Sequence, residues 1–250
     1  MTLSTILILL IFGVFAGFVN TVSAAGSLIA VPSLIFGGLP ATDANATNRI
    51  GVLFQNMAAV YGFRSKGVRG DNYMWWLALA AIPGAILGAL FAVKIDAYLL
   101  NKVLAILMVV FIFITLLNPL KPTEKVTPRL DTRHKVAGFV SYFFIGIYGG
   151  FIQAGTGFFM MATGLLIHRF DIVKTNYYKA FIMFIYTIAA LGIFLWKGNV
   201  HWAEGLLLAV GMSLGGWIGS RWSVDASEEK IKWLMIVVLA VFSVKLWFYS

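Results

Sequence analysis

Charge is scarce in this chain and cysteine is missing altogether. Only 12% of the 250 residues are Asp, Glu, Lys or Arg, and there are three His, six Pro and no Cys. A soluble domain carries about 25% charged residues, so an ordinary water-soluble globule is excluded. Without cysteine there is neither a disulfide framework nor a thiolate metal site. His134, His168 and His201 stand apart and flank apolar segments. They read as interfacial residues, and no metal site or cofactor is expected. A P-loop, a dinucleotide fingerprint, an HExxH pair and a GxSxG elbow are also missing. The expectation is therefore not an enzyme.

What remains is largely hydrocarbon. Hydrophobic residues make up 60% of the chain, and mean hydropathy is +0.90. The composition points to an integral membrane protein, all-α, with the lipid bilayer as its surroundings. The first apolar run has no basic leader region and no cleavage site, so it reads as retained. Acid is scarcer than base, 10 residues against 19, for a net charge of +9. In a membrane protein that excess reads as loops held at the cytoplasmic face or as a path for anions. The basic residues are spread among loops and form no compact footprint, so nucleic acid is not an expected partner. A small anionic substrate is.

A helix needs roughly 20 apolar residues to cross the hydrocarbon. Segments 44–64, 72–93, 97–118, 174–196, 202–220 and 231–249 are near that length. Regions 3–36 and 137–167 are too long for one crossing and are broken by Gly and polar residues, so each reads as a pair of short helices, the second too short to span comfortably, that returns to its side of origin. The linker KPTEKVTPRLDTRHK (121–135) holds five Lys or Arg and should be cytoplasmic. Arg64, Lys66, Arg69, His168, Arg169 and Lys174 fall on the same side, and both termini face outward.

The halves repeat each other at an offset near 130. Gly13–Asn20 matches Gly146–Gln153, and Asp43–Asn48 matches Asp171–Asn176. Asn72, Trp75, Gly84 and Gly88 match Asn199, Trp202, Gly211 and Gly215. The expected organisation is a first membrane repeat (1–120), a basic linker (121–135) and a second repeat (136–250). Three crossings plus one returning pair is an odd number, so the reading is a polytopic helical membrane protein of two inverted-topology repeats. Broken helices would meet at the repeat interface, where carriers of this architecture bind near the midplane.

The breaks are GFVNTVSAAGS (17–27) and GGFIQAGTG (149–157). Freed N–H groups at half-helix starts favour an anion. Asn20, Thr21, Ser23, Ser27, Gln153 and Thr156 would add neutral hydrogen bonds, and Gly26, Gly155 and Gly157 would let a ligand approach the backbone. Segment 44–64 carries Asn48, Arg49, Gln55 and Asn56; the second half offers Asn176 and Lys179. An intramembrane cation is a functional candidate, although both could instead snorkel to the interface. Asp43 and Asp171 precede their helices and read as caps; with Glu204 they are also the candidates for proton coupling. The spaced glycines at 84 and 88 and at 211, 215 and 219 read as helix-packing faces, within one chain or in a homo-oligomer. Trp75, Trp76, Trp196, Trp202 and Trp222 suit an aromatic belt.

GFVNTVSAAGSLIAVPSLIFGGLP, followed by ATDANATNRIGVLFQN, resembles the first-half signature of the TauE/SafE sulfite exporter family of anion permeases. GIYGGFIQAGTGFFMMATGLL resembles its second-half counterpart. Family members commonly read GGG where this chain has Ala24-Ala25-Gly26, and Thr-Asn-Tyr-Tyr-Lys departs from a small-residue run. The resemblance implies outward transport of sulfite, sulfoacetate or related sulfur oxyanions across the cell membrane. The residues themselves ask for a compact anion and do not choose sulfur. They leave two mechanisms open: a carrier working by alternating access, or a channel using the breaks as its filter.

Overall fold

A computed structural model describes residues 3–23, 26–117 and 127–226. Among these the fold is entirely helical: α1 (Leu3–Ser23), α2 (Ser27–Phe36), α3 (Ala41–Ser65), α4 (Asn72–Ala92), α5 (Ala97–Leu117), α6 (Thr132–Phe151), α7 (Thr156–Ala162), α8 (Ile172–Lys197) and α9 (Trp202–Asp225). A π-helical stretch, Thr163–Ile167, extends α7. The expected crossing at 231–249, the start of the linker, Ala24 and Ala25 lie outside the described residues.

Helices α4 and α8 are long and apolar enough to cross a bilayer. Segment 44–64 falls short of that standard for a physical reason. Its polar residues Asn45, Asn48, Arg49, Gln55 and Asn56 are all buried within the protein, while Phe54 and Tyr61 on the same helix are exposed, so α3 turns a polar face to the centre and a narrow apolar one outward. The exterior is the reverse. Leu7, Ile11, Phe91, Phe144, Trp196, Val210 and Leu214 are exposed. Apolar outside and ionic inside inverts the pattern of a soluble domain and suits a bilayer, where intramembrane charge turns toward the interior.

Glycine sets how the helices lie. A Cβ at Gly84 or Gly88 would strike the carbonyls of Phe143 and Ile147, so α4 lies directly on α6. A Cβ at Gly211 or Gly215 would strike those of Leu10 and Val14, so α9 lies on α1 in the same manner. The contacts advance together along each pair, which makes α4 parallel to α6 and α9 parallel to α1. Gly51 meets Leu208, and Gly62 meets Ser220, so α3 also runs with α9. Asp71 reaches Lys174 and Trp75 stacks edge-on against Phe181, so α8 runs with α4. Arg64 at the end of α3 meets Tyr177 near the start of α8, while Arg49 near the start of α3 lies on Phe194 near the end of α8. Helices α1, α3 and α9 therefore point one way and α4, α6 and α8 the other.

The first returning pair is unequal. Helix α1 has 21 residues, about 31 Å at 1.5 Å per residue, whereas α2 has 10. In the second pair α6 has 20 residues and α7 has 7. The second arm of each pair is the short one expected from sequence, whereas the first is long enough to span and not short. Phe18 on α1 contacts Gly219, near the end of α9, while Phe151 on α6 contacts Gly88, near the end of α4. The breaks therefore sit toward opposite faces and do not meet at one depth.

Candidate functional site

An α-helix leaves its last carbonyls without intrahelical partners, and a break inside a membrane gives them no water. In this protein buried cations take them. At the end of α6, Arg49 Nη1 donates to the Gly149 carbonyl at 3.0 Å and to Gln153 Oε1 at 3.1 Å, and Nη2 donates to the Gly150 carbonyl at 2.6 Å. Asn45, one turn before Arg49 on α3, donates to the Phe151 carbonyl at 2.9 Å. The guanidinium also lies 4.4 Å from the ring centroid of Phe194. At the end of α1, Lys179 Nζ donates to the carbonyls of Asn20 and Thr21 at 2.9 and 3.0 Å and to Asn176 Oδ1 at 2.8 Å. Three acceptors match the three N–H donors of an ammonium.

Both cations are almost fully buried, Arg49 at 0% and Lys179 at 1% exposure, so neither snorkels. The expected arrangement is also reversed at the backbone. The occupied ends of the breaks are the carbonyl ends of α1 and α6, where the macrodipole is negative. No carboxylate pairs with either cation among the described ion pairs.

Neutral side chains complete each break. Asn20 Nδ2 donates to Gln55 Oε1 at 2.7 Å, and Gln55 Nε2 donates to Thr21 Oγ1 at 3.0 Å, which in turn donates to the Gly17 carbonyl. Asn176 Nδ2 donates to the Val22 carbonyl at 3.3 Å. Across the molecule, Gln153 Nε2 donates to the Tyr186 hydroxyl at 3.2 Å and Thr156 Oγ1 to the Gln153 carbonyl at 3.0 Å. Gly155 takes a left-handed φ of +79°, which lets the chain reverse there. Gly26 lies so close to Ala16 and Asn20 that no Cβ fits. Helix α3 links the two breaks: Arg49 serves one and Gln55 the other, six residues and about 9 Å apart along the axis.

Other candidates fall elsewhere. Asn56 bonds its own helix, at the Val52 carbonyl. Asn48 and Ser27 are buried, and Ser23 ends α1. Asp171 caps α8, accepting from the Lys174 amide at 2.7 Å. Asp43 does not cap α3, whose N-cap is Pro40. It instead accepts from Asn199 at 3.1 Å and contacts His201 Nε2 at 3.0 Å, tying the start of α3 to the α8–α9 turn. Glu204 is part-exposed in the first turn of α9. His168 is wholly buried, packed on Phe170 and edge-on to Tyr73, because the loop after the π-helical stretch folds inward. It lies beside the linker, its carbonyl accepting from the Arg129 amide at 2.8 Å, and is covered by protein.

Sequence reasoning passed over Asn45, Tyr186 and Phe194. Asn45 lies four residues before Arg49 and Tyr186 seven after Lys179, spacings that share a helix face. Those spacings were the available signal.

A bundle with an apolar exterior, two interrupted helices and buried cations at both interruptions is the framework of a membrane transporter. Residues 9–246 match the sequence model of the family Sulfite exporter TauE/SafE, and the chain belongs to that family. It is 29% identical to the probable membrane transporter protein ORF9 of Sinorhizobium sp. over 238 residues, 92% of this chain and 88% of that protein. It is 26% identical to the probable membrane transporter protein YfcA of Escherichia coli K12, covering 96% of this chain and 88% of that one. A probable membrane transporter protein of Haemophilus influenzae is 24% identical, with 96% and 93% covered. No solved structure matches the chain.

Proposed function

We propose that this transporter is a secondary carrier that exports small sulfur oxyanions, such as sulfite or organosulfonates, by alternating access between two inverted halves. The observation that carries this reading is the pair Arg49 and Lys179, two buried cations at the two breaks with no carboxylate beside either among the described residues. A helix C-terminus supplies roughly half a negative charge, so each unit cation keeps an uncompensated share. A lone buried cation costs several kcal/mol, and an anion between the breaks would offset that cost.

The opposed directions of the matched helices, α1 against α6 and α3 against α8, support the inverted organisation. Repeats related in this manner rock about a shared site. A cleft of about 420 Å³ lined by Arg64, Arg69, Asp71, Trp75 and Tyr177 opens where α3 ends and α4 begins, with two cations against one carboxylate at its mouth. The positive-inside rule puts that mouth, with the linker 121–135, on the cytoplasmic side of a multi-pass plasma-membrane protein. Asp43, tied to His201, is the acid placed to couple proton movement to the outer end of α3.

Proteoliposomes loaded with sulfite test the proposal. Efflux well above that of protein-free liposomes is expected, and it should be abolished in Arg49→Gln. Efflux at the protein-free rate for sulfite and for several sulfonates, under either sign of proton gradient, would rule the proposal out.

A further inference from the structure

The two breaks differ in how completely their polar groups are used. Asn176 is wholly buried and spends both ends of its amide, Nδ2 on the Val22 carbonyl and Oδ1 on Lys179. Its sequence match, Asn48, is equally buried, yet neither Nδ2 nor Oδ1 has a partner among the described residues. The reason is visible three positions on. Lys179 follows Asn176 at i+3, whereas Gly51 follows Asn48, and Leu208 and Met212 pack against that glycine. The unused groups cluster: Asn45 Oδ1 and Arg49 Nε also lack partners among the described residues. Asn45, Asn48 and Arg49 lie at i, i+3 and i+4, along one flank of α3.

A buried amide with both ends idle is costly, and such groups in a folded protein ordinarily meet a water or a ligand. The chemistry required of that partner follows from the inventory. Arg49 Nε–H and the Asn48 amide N–H need acceptors, while the amide oxygens of Asn45 and Asn48 need a donor. Exchanging O and N in the Asn48 amide does not alter the requirement, since one end donates and one accepts either way. A fully deprotonated oxyanion offers acceptors only. One that keeps an O–H offers both.

We propose that Asn48 and the Nε edge of Arg49 form the seat of the transported anion, and that this seat selects an oxyanion still carrying one proton. Asn176, Lys179, Asn20, Thr21 and Gln55 then form the opposing lock, saturated by its own bonds, which holds the end of α1. The inference rests on the carrier reading above and narrows it to hydrogen sulfite, since a sulfonate group has no O–H to offer.

Calorimetric titration and thermal unfolding of the purified full chain in detergent, with sodium sulfite and sodium sulfate as probes, test it. Sulfite should bind more tightly as acidification raises the hydrogen sulfite fraction. Sulfate, which carries no proton in the same range, should bind at least roughly tenfold more weakly, about one hydrogen bond's difference. Asn48→Leu should raise the unfolding temperature without ligand, because an idle buried amide is removed, and should lose the stabilisation by sulfite. Asn176→Leu should lower the unfolding temperature. If Asn48→Leu binds sulfite as the parent does, Asn48 meets only structural water and the seat is wrongly placed. Equal affinity for sulfite and sulfate overturns the proton requirement. If the parent chain binds neither anion, this inference fails, and efflux of a sulfonate from proteoliposomes then decides whether the carrier reading stands without it.

Discussion

Arg49 on α3 donates to the carbonyl of Gly150 at 2.6 Å, joining residues 101 positions apart and closing the exposed end of α6. The bond belongs to a fork that also reaches Gly149. The guanidinium takes its two carbonyls with separate nitrogens held in one plane, whereas the Lys179 ammonium reaches those of Asn20 and Thr21 from a single atom.

Replacing Arg49 should therefore affect both stability and transport. Arg49→Gln leaves the Gly149 and Gly150 carbonyls short of donors in a dry setting. The expected loss is about 2–4 kcal/mol of unfolding free energy, on the scale of charge-assisted bonds. Arg49→Lys should recover part of it and remain defective in transport. Denaturant unfolding in detergent measures the first effect, and an unchanged midpoint for Arg49→Gln would show that the fork contributes nothing.

Lys179→Met keeps the stem and removes the donors to Asn20 and Thr21. About 1–3 kcal/mol should be lost, with α1 loosened locally at its end. Because the chain has no cysteine, a single one placed at Thr21 reports this directly. A thiol reagent should label Thr21→Cys slowly in the parent and rapidly beside Lys179→Met. Equal rates would mean that Lys179 does not hold the end of α1.

The glycine faces predict a contrast of sign. Gly88→Leu and Gly215→Leu push a side chain into the Ile147 and Val14 carbonyls, and overpacking of this kind costs about 1–3 kcal/mol or more. Gly192 has no atom within 4 Å of a built Cβ, so Gly192→Ala should gain up to about 1 kcal/mol from helix propensity. Unfolding temperatures of the three variants decide it; a destabilised Gly192→Ala would contradict the packing described.

Asp71, the N-cap of α4, gives a pH-dependent prediction. Burial alone would raise its carboxyl, but the Tyr178 hydroxyl, Lys174 and the Tyr73 amide outweigh that, so it sits below the usual carboxylate range. A lowered folded value means that the contribution is complete above the unfolded value near 4 and is lost as acid titrates the folded carboxyl. Asp71→Ala should cost about 1 kcal/mol at neutral pH through the lost cap. Asp71→Asn, which still caps, should cost less because the pair with Lys174 is part-exposed. The deficit of Asp71→Asn should shrink toward zero on acidification below about pH 4. A deficit that is constant with pH would contradict the assignment.

Much of this architecture was legible in the residues. The helical membrane class followed from scarce charge, and both breaks were marked by Gly and polar residues at matched positions. The close glycine faces were equally plain, since spacing alone puts Gly84 with Gly88 and Gly211 with Gly215 on one side of a helix. What stayed hidden depended on contacts between the halves. Nothing local to Arg49 says that its partner is the end of α6, and nothing local to Asp43 says that it meets His201 and not its own helix start. The length of the first arm was not legible either, because α1 continues through Asn20 and Thr21 to Ser23 before it turns. Asn48 and Asn176 look equivalent in sequence. They differ in their partners: Asn176 has Lys179 three residues on and the Val22 carbonyl within reach, where Asn48 has Gly51 and neither.

Counterflow in proteoliposomes tests alternating access most directly. Vesicles loaded with unlabelled sulfite and diluted into a trace of labelled sulfite should take up label transiently above its equilibrium level, with the overshoot missing in Arg49→Gln. A monotonic approach to equilibrium, accompanied by unitary currents in planar bilayers, would contradict the carrier account and leave a pore.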